Sequence, residues 1–214
     1  MEIELKLAIA PGDVDAFRQL PLLQQFSSAG AAPPVQDLFS TYFDTAGLHL
    51  KKHKSALRVR KLDDLWIQTY KGGGRVEAGL HQRHEWECQV PGAQIELDLL
   101  LPLVDNPLAR QALELPGLQA QLQEMFTTSF QRTIWMLQLP QDTVVELALD
   151  QGYVAAAGRR VALCELELEL KSGQTEALLA FSHALRQALP LSPSNISKAQ
   201  RGFALRSPDA DSSL

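Results

Sequence analysis

Glu2, Glu4 and Lys6 stand two residues apart at the start of this chain, and the same spacing recurs in Arg58/Arg60 and in Glu165/Glu167/Glu169. On a strand, residues two apart share a face. Each set therefore presents its charges together, while Ile3, Leu5 and Leu7, or Leu57 and Val59, point the other way. Arg83, Glu85 and Glu87 form another such row if their strand begins early enough. Glu146 and Asp150 share a face, Lys71 ends a strand and Arg132 sits within one. A strand surface facing water normally mixes signs with Thr, Ser and Gln. Here each strand tends to carry one sign, and adjacent like charges cost energy unless opposite charge intervenes. These nine carboxylates and six basic residues come into register if the strands close into a barrel with a polar lumen. A lumen of this kind suits a ligand that is itself divided. Carboxylate oxygens take a hard cation such as Mg²⁺ or Mn²⁺, and arginine pairs take phosphate oxygens through paired donors.

Other chemistries find little support. The histidines His49, His53, His81, His84 and His183 share no ligand spacing with a cysteine or carboxylate, and surface or loop positions are expected for most. Gly72-Gly73-Gly74 is followed by Arg75 rather than Lys-Ser/Thr, so it is no phosphate-binding P-loop but a flexible turn. Lys51-Lys52-His53-Lys54 reads as a solvated loop able to draw an anion towards a nearby opening. No serine or cysteine has the surroundings of a nucleophile. Cys88 and Cys164 are too few and too far apart for a disulfide framework or thiolate metal site, and buried free thiols are expected.

The elements that must position these charges follow from periodicity. Period-2 alternation marks strands at Glu2–Ile9, Leu38–Asp44, Ala56–Lys61, Leu65–Lys71, His84–Val90, Thr128–Leu139, Thr143–Leu149 and Ala162–Leu170. Turn signals lie between them, including Pro11-Gly12, Asp63-Asp64, Pro91-Gly92 and Gln151-Gly152. Helical spacing is confined to four places: from a cap at Asp13 to about Gln25, Leu108–Leu113 after Asn106-Pro107, Thr175–Leu189, and Asn195 to Leu205. The fold class is α+β, many antiparallel strands forming a large curved sheet or barrel with helices covering the outward apolar faces. With 214 residues, 45% of them apolar, one domain can bury a full core. The tail from 206 to 214 is expected to be flexible or the start of a linker. A net charge of −5 argues against a general nucleic-acid or membrane-surface binder. The N-terminus carries no secretory signal and no stretch reaches the length of a membrane span, so a cytoplasmic protein is the default.

The ordered set of charged motifs resembles the CYTH superfamily, the triphosphate tunnel metalloenzymes. Glu2-x-Glu4-x-Lys6 resembles its ExExK signature. Leu57-Arg58-Val59-Arg60, Thr69-Tyr70-Lys71, Gln82-Arg83, Gln131-Arg132, Glu146 through Asp150, Glu165-Leu166-Glu167-Leu168-Glu169 and Ser197-Lys198-Ala199-Gln200-Arg201 follow in order. The likeness covers about residues 1–205 and is nearest to the bacterial inorganic triphosphatases, where this domain often precedes a CHAD domain; no CHAD-like sequence is present. It implies a closed eight-stranded antiparallel tunnel that hydrolyses inorganic triphosphate or a related polyphosphate with Mg²⁺ or Mn²⁺. Lys6, Arg58, Arg60, Lys71, Arg83, Arg132 and Lys198 would line the phosphate side, with Arg201 a second anchor or a salt-bridge partner. Glu2, Glu4, Asp150, Glu165 and Glu167 would hold metal, with Glu85, Glu87, Glu146 and Glu169 as further candidates. Glu4, Lys6, Arg58 and Lys71 are the catalytic candidates. Some relatives carry a second basic residue where this chain has Ile134. Thiamine triphosphatase, class IV adenylyl cyclase and a non-catalytic polyphosphate-binding module are the alternatives that the same tunnel allows.

Overall fold

The structure, a computed structural model, describes residues 1–27 and 32–206. Eight strands carry the fold: β1 (Glu2–Ala8), β2 (Val35–Thr45), β3 (Ala56–Leu62), β4 (Leu65–Glu77), β5 (Leu80–Val90), β6 (Leu122–Leu139), β7 (Thr143–Ala156) and β8 (Arg159–Ser172). They pair antiparallel in the order β5-β4-β3-β2-β6-β7-β8-β1, and β1 pairs back onto β5 to close the barrel. A two-residue strand, β9 (Ser192–Pro193), continues that seam along Leu7 and Ala8.

The charged rows fill the lumen away from the last helix, and the opposite, apolar strand faces point outward into two covered cores. Leu5, Leu7, Leu147, Leu149, Leu166 and Leu168 pack under α1 (Val14–Arg18), α2 (Pro21–Phe26) and α7 (Thr175–Ala188). Leu57, Val59 and Tyr70 pack under α3 (His49–Lys52), α4 (Leu97–Leu100), α5 (Pro107–Leu113) and α6 (Leu118–Gln121). Each fully buried leucine contributes about 1.5–3 kcal/mol of burial, so covering the outer faces is what makes a charged lumen affordable. The helix α8 (Lys198–Leu205) lies elsewhere. It packs Phe203 and Leu205 against Tyr42, Phe126 and Val154, which stand on the same strand faces as Arg132 and Asp150 by their even-numbered spacing.

Several elements differ from the sequence reading. The expected helix from Asp13 to Gln25 is broken in two, because Pro21 forces Leu20 into an extended conformation (φ −60°, ψ 127°). Asp13 makes no side-chain cap, since it lies inside a 3₁₀ turn over Pro11–Asp13. Gly72-Gly73-Gly74 is no turn but a bulge within β4; the chain reverses instead at Ala78-Gly79, both at positive φ. Gln151-Gly152 lies inside β7, and the turn falls at Ala157-Gly158. The last helix begins at Lys198 rather than Asn195, set by a reciprocal capping box between Ser197 and Gln200. Lys51 and Lys52 belong to α3 rather than to a loop. Cys88 and Cys164 are free, as expected, but half-buried. His81 is a buried strand residue, not a surface one. Arg206 is tied to β6 by a 2.9 Å bond to the Met125 carbonyl; residues 207–214, the rest of the expected tail, lie outside the described residues.

Gly152 shows how closely the strands fit. It pairs with Phe130 across β6 and β7, and a Cβ built there would fall 2.2 Å from the Ser129 carbonyl oxygen and 2.5 Å from the Phe130 Cα. Both are backbone atoms that no rotamer change can move. Gly152→Ala is therefore expected to destabilise the barrel by about 3 kcal/mol or more, read as a lower urea midpoint; an unchanged midpoint would contradict this packing.

Candidate functional site

The lumen holds a cavity of about 230 Å³ lined mostly by charged side chains. From β1 come Glu2, Glu4 and Lys6; from β3, Arg58 and Arg60; from β4, Lys71; from β5, Arg83, Glu85 and Glu87. From β6 comes Arg132; from β7, Glu146; from β8, Glu167 and Glu169; from the first turn of α8, Lys198. On the strands, alternation delivers them, each lumenal beside neighbours that face outward; Lys198 alone among them comes from a helix. β5 does begin early enough, at Leu80, to place Arg83 in the row. Three residues expected at the site do not line the cavity. Asp150 and Glu165 are 0% exposed and lie behind Lys198, and Arg201 sits against Glu165 at 3.3 Å as a salt-bridge partner.

The signs do not form two separate walls; they interlock. Lys6 bonds Glu4 at 2.7 Å and also Glu167. Lys71 bonds Glu2 and Glu85, each at 2.9 Å. Arg132 grips Asp150 with two 2.7 Å bonds and reaches Glu167 as well. Lys198 stands 2.6 Å from Asp150, 2.7 Å from Glu165 and 2.6 Å from Glu167. Burial alone would lower the Lys198 and Lys6 pKa values, but the surrounding carboxylates outweigh it and raise both. Burial would likewise raise Glu167, yet Lys198, Lys6 and Arg132 hold it well below the ordinary carboxylate range.

A second group of charges is poorly matched. Arg58 lies 3.8 Å from Glu85 and 3.7 Å from Glu87, too far for good hydrogen bonds. Arg83 is 3.6 Å from Glu4. Among the described residues, the Nε atoms of both arginines are buried without a hydrogen-bond partner, and the Arg60 side chain bonds only the Ser40 hydroxyl, at 3.2 Å. Burial, with Arg58 and Arg132 beside it, pushes the Arg60 pKa down to about 9; a guanidinium still keeps its proton at neutral pH. Beyond these looser ion pairs, the three guanidiniums keep donor capacity that no acceptor among the described residues fills.

Carboxylates are available for a cation in two places. Oxygens of Asp150, Glu165 and Glu167 lie within 4.8 Å of one another, but the Lys198 ammonium already sits among them. The strand register places Glu4 opposite Glu169, and Glu169 opposite Glu146, in one row across β1, β8 and β7. Burial raises the Glu169 pKa; Lys171 opposes this, while Glu2 and Glu146 add to it. Lys171, 2.9 Å from Glu169, is the counter-charge and is more than a third exposed. This row is a hard-oxygen donor set of the kind that suits Mg²⁺ or Mn²⁺.

Lys171, Tyr42 and Ser197 also line the cavity and were not anticipated. Lys171 continues the spacing of Glu165, Glu167 and Glu169, so the signal was present. Tyr42 stacks on Phe126 at 4.5 Å. Burial would raise its hydroxyl pKa, but Arg58, Arg60 and Lys198 turn the shift downward.

Comparison with known proteins agrees with this geometry. The chain is 34% identical over 216 residues to the inorganic triphosphatase of Haemophilus influenzae, an alignment covering 96% of this chain and 55% of that protein. The chain thus spans about half the length of that curated relative. Among solved structures, HpAC1 of Hippeastrum, described as having a dominant triphosphatase activity, superposes with a TM-score of 0.64 at 18% identity over 99% of both chains. A candidate adenylate cyclase of Bacillus halodurans superposes with a TM-score of 0.60 at 24% identity, over 95% of this chain and 97% of that one. At such identities these structures speak for the tunnel fold alone. The described residues contain no helix long and apolar enough to cross a membrane. The CYTH domain family matches residues 1–203, nearly the whole described chain, and this protein belongs to that family.

Proposed function

We propose that this chain hydrolyses inorganic triphosphate to pyrophosphate and phosphate inside the tunnel, with Mg²⁺ or Mn²⁺. The observation that carries the reading is the set of under-partnered lumenal arginines. Among the described residues, Arg60 hydrogen-bonds only a serine, and the buried Nε atoms of Arg58 and Arg83 have no hydrogen-bond partner. Buried donors left unpaired cost about 1–3 kcal/mol each, more when charged, and phosphate oxygens satisfy them.

Each residue then has a part. Arg58 and Arg60 fix the phosphate chain from β3. Lys6, Lys71 and Arg83 now spend their charge on Glu4, Glu167, Glu2 and Glu85; phosphate oxygens draw these cations away and leave Glu2 and Glu4 free for the cation. Glu2, Glu4, Glu169 and Glu146 would hold Mg²⁺ or Mn²⁺, which would supply Lewis-acid neutralisation of phosphate charge. Asp150 and Glu165 hold no metal in this reading. They anchor Lys198, so that its ammonium stays aimed at the lumen. Arg58, Arg60, Lys71 and Lys198 stabilise the charge that gathers on the departing pyrophosphate as water attacks the terminal phosphorus.

Phosphate release from triphosphate, ATP and thiamine triphosphate, with Mg²⁺, Mn²⁺ or a chelator, tests the proposal. Release from triphosphate in the presence of a divalent cation, fastest of the three and abolished by the chelator, is expected. Tight triphosphate binding with no release would make the tunnel a binding module, and preference for ATP or thiamine triphosphate would move the substrate.

A further inference from the structure

The basic residues between β2 and β3 play no part in the site described above. From Ala46 to Ala56 the chain carries Lys51, Lys52 and Lys54 and no carboxylate, in a protein with 20 lysines and arginines against 25 acids. All three lysines are exposed, and among the described residues none of them forms an ion pair. Three like charges within four residues repel one another, and the fold nevertheless holds them rigidly. Asp44, 0% exposed, uses one carboxylate oxygen to accept from the Thr45 and Leu50 N–H groups at 2.7 and 2.8 Å. Its other oxygen accepts from the Lys51 N–H at 3.0 Å. The Ser55 hydroxyl bonds the Leu50 carbonyl at 2.9 Å. Leu48 and Lys54 bracket the turn in left-handed conformations, φ 57° and 54°.

This turn borders the cavity. Ala56, the first residue of β3 and so part of the barrel rim, lines the lumen, as does Ala199 in the first turn of α8; both are partly exposed. Lys54 is two residues from Ala56, at most about 7 Å along the chain. The Lys51 ammonium lies 5.3 Å from the Phe203 ring of the same helix α8. Positive charge therefore continues from Arg58 and Lys71 inside to the three lysines at the rim.

We propose that Lys51, Lys52 and Lys54 form an outer landing for linear inorganic polyphosphate whose leading phosphates occupy the tunnel. The inference rests on the triphosphate reading and extends it to longer chains, because a polyanion too long for a cavity of about 230 Å³ must emerge over its rim. The acidic remainder of the protein, with its net charge of −5, opposes a broad nucleic-acid footprint.

The test compares the unmodified protein with K51Q/K52Q/K54N, asparagine being chosen at position 54 because it tolerates the left-handed conformation. Surface changes of this kind leave folding nearly untouched, and the single variant K52E, which adds repulsion, repeats the test if the triple variant is unstable. Equilibrium binding of long-chain polyphosphate should weaken about tenfold, with a shallower salt dependence, while KM for triphosphate stays within about twofold. An equal loss for both ligands, or a loss for neither, would overturn the landing. If the unmodified protein fails to turn over triphosphate, the catalytic reading falls, and the binding comparison still judges the landing by itself.

Discussion

Lys6→Ala is expected to lower triphosphate turnover by about 10²–10³-fold in a protein that remains folded. Lys6 stands mid-lumen on β1 and bridges Glu4 to Glu167, so it faces both the cation row and the phosphates. In the proposed cycle its ammonium passes from carboxylate to phosphate, and no neighbouring group stands in its place. Folding should survive, because Glu167 keeps Lys198 and Arg132 and Glu4 keeps Arg83. Circular dichroism and a thermal melt would establish the fold, and initial rates of phosphate release would give the activity. A folded variant with undiminished kcat would remove Lys6 from the chemistry.

Lys198→Ala should act first on stability, lowering it by about 3–5 kcal/mol at neutral pH. Its ammonium neutralises Asp150, Glu165 and Glu167 at once, two of them wholly buried. In the unmodified protein Asp150 and Glu167 have folded pKa values below their unfolded ones. Their contribution is present above about pH 4 and is lost as pH falls through the folded values. Without Lys198, burial and mutual repulsion push the folded values upward instead. The destabilisation is then complete at high pH and relieved as pH falls and protons replace the missing cation. Denaturant unfolding with chelator present, at pH 7 and near pH 5, should show the gap between variant and parent narrowing at the lower pH. A gap that does not narrow would mean that Lys198 supports the barrel by packing alone.

Much of this was legible in the sequence, for a particular reason. The period of two that makes a strand also decides which residues share the lumen, so Glu2, Glu4, Lys6, Arg58, Arg60 and Glu167 could be placed together without knowing the pairing. All eight strands were found. Several of their ends were not, notably where β4 and β7 run on through Gly72–Gly74 and Gly152. Glycine marks a turn by its freedom, but here it marks a bulge and a close backbone approach, which look the same in sequence. Periodicity also cannot tell which lumenal charges meet. It suggested two walls, whereas the packing of α8 brings Lys198 from a helix onto carboxylates of two strands. In the proposed reading that pairing makes Asp150 and Glu165 anchors for Lys198 rather than metal ligands. Lys171 was within reach of the same rule, but Tyr42 was hidden by its apolar company.

The seam at β1 has a consequence in time rather than space. Residues 2–8 must find partners near residues 80–83 and again near 165–169, so the earliest strand to be made is the last to be satisfied. Contacts of such wide separation slow folding. Until β8 exists, the ribosome-bound chain carries a row of exposed hydrogen-bonding groups along an open sheet edge, a target for wrong partners. The ExExK strand, acidic and basic on one side, makes that edge less inviting to an apolar neighbour while it waits.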